Sequence, residues 1–205
     1  DIVFASDPDA DRVGVAVKRP DGEWMLLNGN QTLSMIIYYL VRQWQETGRL
    51  TGKEYIIKTI VTSELPTVIA SKAGVDSFDT LTGFKWIASK IREMEGKGIF
   101  IGGGEESYGY MIGDFVRDKD AVASCSMIAE IAAWAREQGK TFFDVLVDIY
   151  RKPTSKPTSP RARKATSTCR QATCFNISPP TATKSPYAPL APSLRLSSIS
   201  ALKAN

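Results

Sequence analysis

Along residues 31–46 the apolar positions Leu33, Ile36, Ile37, Leu40, Val41 and Trp44 recur at spacings of three and four. That period predicts a helix, with Gly48 and Gly52 marking its end. Ahead of it the pattern is extended: residues 2–5 read as a short buried strand and residues 13–17 as a return strand. A turn at Pro20-Asp21-Gly22 then leads into a third extended piece over 24–27. Residues 55–62, rich in Ile, Val and Thr, predict a central strand, followed by a helix over 63–72 with Pro66 in its first turn. A strand over 76–81, a TGFK loop over 82–85 and a helix over 86–95 come next, Ile87 and Ile91 facing the core. Residues 98–101 read as a strand, Gly102-Gly103-Gly104 as a flexible turn and 107–112 as an adjoining extended piece. Two helices close the pattern, over 119–138 and 141–150, the second with Phe142, Val145, Leu146 and Ile149 in one stripe. Strands alternating with helices predict an α/β layer architecture.

Beyond residue 150 this periodicity stops. Residues 151–205 hold 8 of the 11 prolines and 16 Ser or Thr, a composition that buries too little surface to offset chain entropy and predicts disorder. Charge divides at the same place. Residues 1–150 carry 16 Lys and Arg against all 22 acids, a net of −6, whereas the tail carries 10 basic residues and no acid. The excess of basic charge therefore belongs to the tail and is no nucleic-acid footprint on the body. Because the helix over 141–150 reads as cut off in mid-course, a shifted reading frame is the expectation for the tail, with a native basic Pro/Ser/Thr extension as the alternative. Asp1, directly ahead of a strand, likewise reads as the start of a fragment.

Cys125, Cys169 and Cys174 lack zinc-site spacing, and the chain contains no histidine to complete such a site. A reduced, cytoplasmic setting is expected. No run approaches the ~20 apolar residues needed to span a bilayer, and the basic tail, which could be read as an RNA- or membrane-binding segment, interleaves only Phe175 and Tyr187, so neither a membrane nor a nucleic acid is expected as a partner.

Candidate chemistry concentrates in two places. The first is DPDADR, residues 7–12, directly after the apolar residues 2–5. Carboxylates at alternate positions of a tight loop repel by roughly 4 kcal/mol per pair at ~4 Å and an effective dielectric near ~20, which points to a bound cation. Oxygen-only ligands favour magnesium or a similarly hard divalent ion. An EF-hand is excluded, because Arg12 and Lys18 stand where that loop needs Gly and Glu. Arg12 instead suits an anion that shares the metal. An Asp-rich surface turn is the bland alternative.

The second is GGGEESYGY, residues 102–110, which matches neither a dinucleotide fingerprint nor a phosphate loop. Glu105 and Ser107, two apart and on one side if the backbone is extended, offer the acceptor and hydroxyl that neighbouring sugar hydroxyls require. A glycine-rich hairpin with solvated acids is equally compatible. Lys119 can contact phosphate or donate a proton, and Thr82 and Lys85 can meet phosphate, but solvated charges and a plain helix start explain them as well.

In this order, DPDADR, TGFK, GEESYG and RDKDA resemble the α-D-phosphohexomutase superfamily, the phosphoglucomutases and phosphomannomutases. The resemblance implies an α/β/α fold, with residues 1–28 as the end of a second domain, 29–150 as most of a third, and domains carrying a phosphoserine and a further phosphate loop outside the chain. It implies Mg2+ on Asp7, Asp9 and Asp11, Arg12 beside the phosphoserine, and Glu105 and Ser107 on the sugar hydroxyls. Lys119 would lie near the reacting end of the substrate, with Thr82, Gly83 and Lys85 in a loop facing the cleft. The implied reaction interconverts hexose 1-phosphate and 6-phosphate through a bisphosphate. Because Tyr108 and Gly109 follow the serine and no histidine does, glucose phosphate is favoured over mannose phosphate. Two alternatives stay open: phosphomannomutase specificity, and a non-catalytic module that binds metal or sugar phosphate. The fragment alone is expected to be inactive.

Overall fold

Every residue of the hexapeptide EYIIKT is buried, as a strand covered on both faces requires. It forms the centre of the larger of two sheets in a computed structural model that describes residues 2–151. The elements run β1 (Ile2–Ser6), β2 (Val13–Lys18), β3 (Trp24–Leu27), α1 (Gly29–Glu46), β4 (Glu54–Thr59), α2 (Leu65–Lys72), β5 (Asp76–Thr80), α3 (Phe84–Glu93), β6 (Ile99–Gly104), β7 (Tyr110–Ile112), α4 (Ala121–Glu137) and α5 (Phe142–Arg151). The tail expected to be disordered or frameshifted lies outside the described residues.

β1, β2 and β3 make an antiparallel sheet, and the larger sheet has the order β5-β4-β6-β7. β4 pairs in parallel with both β5 and β6, and β7 joins antiparallel to β6, so this sheet is mixed. Alternate residues serve opposite faces. Ile56, Ile101 and Tyr110 enter a core shared with α1, α2, α4, α5 and Val13, Val15, Val17 and Leu27 of the smaller sheet. Tyr55, Ile57, Phe100 and Met111 pack on the other side against Phe84, Ile87 and Ile91 of α3. Helices therefore cover the mixed sheet on both faces, the α/β/α arrangement expected of the sequence.

Local chemistry accounts for the helix ends. Asn28 and Gln31 form a reciprocal capping box at the start of α1. The Asp120 carboxylate accepts from the amides of Val122 and Ala123 at the start of α4. α2 begins at Leu65, two residues later than expected, because Thr62 N–H turns back to the Thr59 carbonyl and Ser63 N–H donates to Asn30 Oδ1. Among the described residues no helix is long and apolar enough to cross a membrane.

Three expectations change. β1 is a partly exposed edge strand, paired only with β2, and not a buried one. Gly102-Gly103-Gly104 is the buried end of β6 and not a flexible turn. The physical reason is close approach: a Cβ on Gly102 would lie 2.9 Å from Leu40 Cδ1, and one on Gly103 would collide with the Ile57 carbonyl. Finally, Glu105 and Ser107 do not lie on an extended segment. Residues 105–109 form a turn closed by Glu105 N–H to the Gly109 carbonyl at 2.9 Å, and β7 begins only at Tyr110.

Candidate functional site

From β4 the chain passes through α2 to β5 on one side, then through α3 to β6 on the other. Such a reversal leaves a crevice beyond the carboxyl ends of the two strands, where ligands of open α/β sheets bind. Thr59 ends β4 there and the turn 105–109 follows β6.

Glu105 is 7% exposed. One carboxylate oxygen accepts the Gly83 N–H at 2.7 Å, and the other lies 3.4 Å from the Ser107 hydroxyl. The first contact ties the TGFK loop to the turn. Gly83 is thus brought to Glu105, its φ of 107° being one that favours glycine. Thr82 and Lys85 are exposed, and the Lys85 ammonium lies 5.0 Å from the Trp86 ring centroid. Their side chains are not drawn into the turn's hydrogen bonds.

The acidic loop reaches the turn from the other sheet. Asp7 Oδ1 accepts the amides of Asp11 and Arg12 at 3.1 and 3.0 Å, folding the loop back on itself. Asp7, Asp9 and Asp11 each present an oxygen such that all three lie within 4.8 Å of one another. Asp11 Oδ1 is buried with no hydrogen-bond partner among the described residues, while Lys119 Nζ pairs with Oδ2 at 3.0 Å. An unpartnered oxygen on Asp11 in a cluster with two further carboxylates fits a hard divalent cation by donor chemistry and by charge. Arg12 stands beside it, Nε 3.8 Å from Asp11 Oδ1.

Two strained residues join the loops. Ala10 and Tyr108 adopt φ of 56° and 71°, a region costing roughly 1–3 kcal/mol for residues other than glycine. Each uses its carbonyl across the site. Tyr108 accepts from Val13 N–H at 3.1 Å, and Ala10 accepts from Ala121 N–H at 3.0 Å. Lys119 completes the link, its stem crossing Gly109 so closely that a Cβ there would collide with it. Burial draws the Lys119 ammonium down, but the hydrogen bond to Asp11 and the charges of Asp118 and Asp11 outweigh that and hold it above the ordinary lysine range. The arrangement puts three acids and two cations beside a buried carboxylate and a hydroxyl.

Sequence reasoning missed the support behind the turn. Glu106 Oε2 accepts from Thr59 Oγ1 at 3.0 Å, with Thr62 Oγ1 at 3.4 Å, and Lys58 is a fully buried lysine held by Glu64 and Asp79 at 2.9 Å each. The available signal was the polar residues Lys58, Thr59 and Thr62 set within the apolar segment of residues 55–62.

Comparison with known proteins supplies the family. Residues 28–152 match the model for phosphoglucomutase/phosphomannomutase, alpha/beta/alpha domain III. A phosphoglucomutase of Staphylococcus aureus (strain USA300) is 38% identical over 151 residues, which is 74% of this chain and 27% of that protein. The chain thus spans about a quarter of the length of such relatives. A crystal structure of a Thermus thermophilus protein assigned as a phosphomannomutase superposes with a TM-score of 0.58 at 25% identity, covering 72% of this chain and 30% of the other. The open form of Paramecium parafusin, a phosphoglucomutase, gives 0.56 at 19% identity over 75% of this chain and 25% of its own. With the domain model covering more than half of the residues and both structures sharing the fold, the chain belongs to the phosphoglucomutase/phosphomannomutase family.

Proposed function

We propose that this chain supplies the metal loop and the sugar turn of a phosphohexomutase that interconverts hexose 1-phosphate and hexose 6-phosphate, with glucose phosphate as the favoured substrate. The observation that carries the reading is the joining of the two loops. The Asp11–Lys119 pair and the Val13–Tyr108 hydrogen bond bring the acidic trio and the Glu105–Ser107 turn to one cleft.

Asp7, Asp9 and Asp11 would hold Mg2+, which when bound neutralises charge on a phosphoryl group under transfer. Glu105 keeps one oxygen on Gly83 N–H, so its other oxygen and the Ser107 hydroxyl, paired weakly at 3.4 Å, remain to grip adjacent sugar hydroxyls. A ring whose 1- and 6-positions must exchange places needs contacts that survive the exchange, and a two-point grip on neighbouring hydroxyls does so. Arg12 offers a guanidinium to the incoming phosphate, and Lys119, cationic and held over Gly109, offers an ammonium close to both groups. The phosphoserine that such a reaction uses would come from a part of the enzyme outside this chain.

The test is a chimera in which residues 1–151 replace the aligned 151 residues of the Staphylococcus aureus phosphoglucomutase. Conversion of glucose 1-phosphate to glucose 6-phosphate is measured with and without Mg2+. Magnesium-dependent turnover supports the reading, and a folded chimera without turnover refutes it.

A further inference from the structure

Glu106 lies between the two residues assigned to the sugar, yet its side chain runs the other way, into the crevice between β4 and β6. There Thr59 and Thr62 are 0% and 3% exposed, and their hydroxyls are 2.8 Å apart. The Glu106 carboxylate only accepts, and both hydroxyls reach its Oε2, Thr59 at 3.0 Å and Thr62 at 3.4 Å; whichever of the two donates to it accepts from the other. The platform beneath is tied into the fold by hydrogen bonds and ion pairs. Lys58 Nζ reaches the Thr62 carbonyl at 3.4 Å and the carboxylates of Glu64 and Asp79, and Ser63 N–H is held by Asn30. The backbone of Glu106 is gripped as well, since a Cβ on Gly29 would collide with its carbonyl.

We propose that Glu106 is a positioning residue, whose hydrogen bond to the Thr59–Thr62 pair sets the turn that presents Glu105 and Ser107 to a sugar phosphate. The proposal rests on the sugar-turn reading given above. With Glu106 anchored to β4 and Glu105 anchored to Gly83, the turn is held on two sides, and Ser107 is carried between them. Loss of the Glu106 anchor removes no hydrogen bond of the acidic loop itself, since Asp7 folds that loop through the amides of Asp11 and Arg12 and neither Thr59, Thr62 nor the Glu106 carboxylate takes part in those bonds.

The test uses the full 205-residue chain, with glucose 1-phosphate in excess Mg2+ titrated against the backbone amide signals of Gly83, Ser107 and Tyr108. Mn2+ alone is titrated separately to read the acidic loop. In the unaltered chain these amides shift on adding glucose 1-phosphate. Glu106→Ala and Thr59→Val each weaken that binding about tenfold, the double variant is no worse than either, and Mn2+ affinity is unchanged. Glu106→Gln and Thr59→Ser, which keep the acceptor and the donor, stay within about threefold of the unaltered chain. A merely structural role would lower the melting temperature without this pattern of rescue and coupling. Normal binding by Glu106→Ala and Thr59→Val alongside defective Glu105→Gln overturns the positioning role and leaves the sugar turn standing. Absence of any shift at these amides in the unaltered chain removes the sugar turn and the positioning role together. If Glu106→Ala does not fold, the near-isosteric Thr59→Val and Thr59→Ser pair decides the matter.

Discussion

The acidic loop and the turn over residues 105–109, which follows the glycine-rich end of β6, stand side by side but are held in different ways. Residues 7–12 close an antiparallel sheet with an exposed edge, and Asp7 folds them by accepting the loop's own amides, with Ala121 and Lys119 meeting the loop from outside. The turn 105–109 is fixed from outside, by Gly83, Thr59 and the close approach of Gly29. One is a cluster of like charges with Lys119 and Arg12 beside it, and the other is a pre-set shape. Removing a charge should therefore change what the first loop binds, whereas adding a single atom should damage the second.

The largest effect is expected at Gly103. An alanine Cβ there meets the Ile57 backbone, which cannot rotate away, so Gly103→Ala should cost upwards of about 3 kcal/mol in urea unfolding. A loss below about 1 kcal/mol would mean that the glycines are not there for close packing. Next comes Asp9→Asn. Mn2+ affinity should fall at least about tenfold with no loss of metal-free stability, since one of three mutually repelling carboxylates is gone. Unchanged affinity would break the contrast between the two loops. Glu105→Gln keeps an acceptor for Gly83 but loses the charge, so destabilisation of about 1 kcal/mol is expected with Mn2+ affinity intact. A drop in metal binding there would show the two regions to be one electrostatic unit.

The smallest expected effect is on the bridge between them. The folded-state pKa of Lys119 lies above the ordinary 10.5. Stability gained from its ion pair is thus fully present below that value and is lost as pH rises through the higher folded pKa. The difference between the chain and Lys119→Met should be constant from pH 7 to about 10 and shrink above it, amounting to about 1 kcal/mol or less. A difference that grows with alkalinity contradicts the bridge.

How much was visible beforehand follows from the nature of each signal. The helical stripes of α1 and α5, and the apolar run of β4, were legible because burial repeats with the period of the element. The clustering of the DPDADR carboxylates was legible because alternate positions of a tight loop bring their side chains together, and in the structure an oxygen of each lies within 4.8 Å of the others. The glycine triplet misled, since glycine serves both flexible turns and tight packing, and only the positions of Leu40 and Ile57 distinguish them. Thr82 lies in the expected loop, whereas α3 begins at Phe84 and takes Lys85 into its first turn; Gly83's backbone amide is what meets Glu105, and an amide leaves no mark in a sequence.

The order of residues by itself determined the α/β alternation and the clustering of the acidic trio, because periodicity and charge spacing are local properties; the turn that brings Glu105 to Ser107 was not legible, since it closes through the Gly109 carbonyl. Tertiary structure alone decided that Tyr108 would meet Val13, that Lys119 would reach Asp11 and that Glu106 would find Thr59. Those partners are separated by dozens to about a hundred residues and carry no shared pattern. Their meeting depends on the strand order β5-β4-β6-β7, which brings the carboxyl ends of β4 and β6 to one crevice.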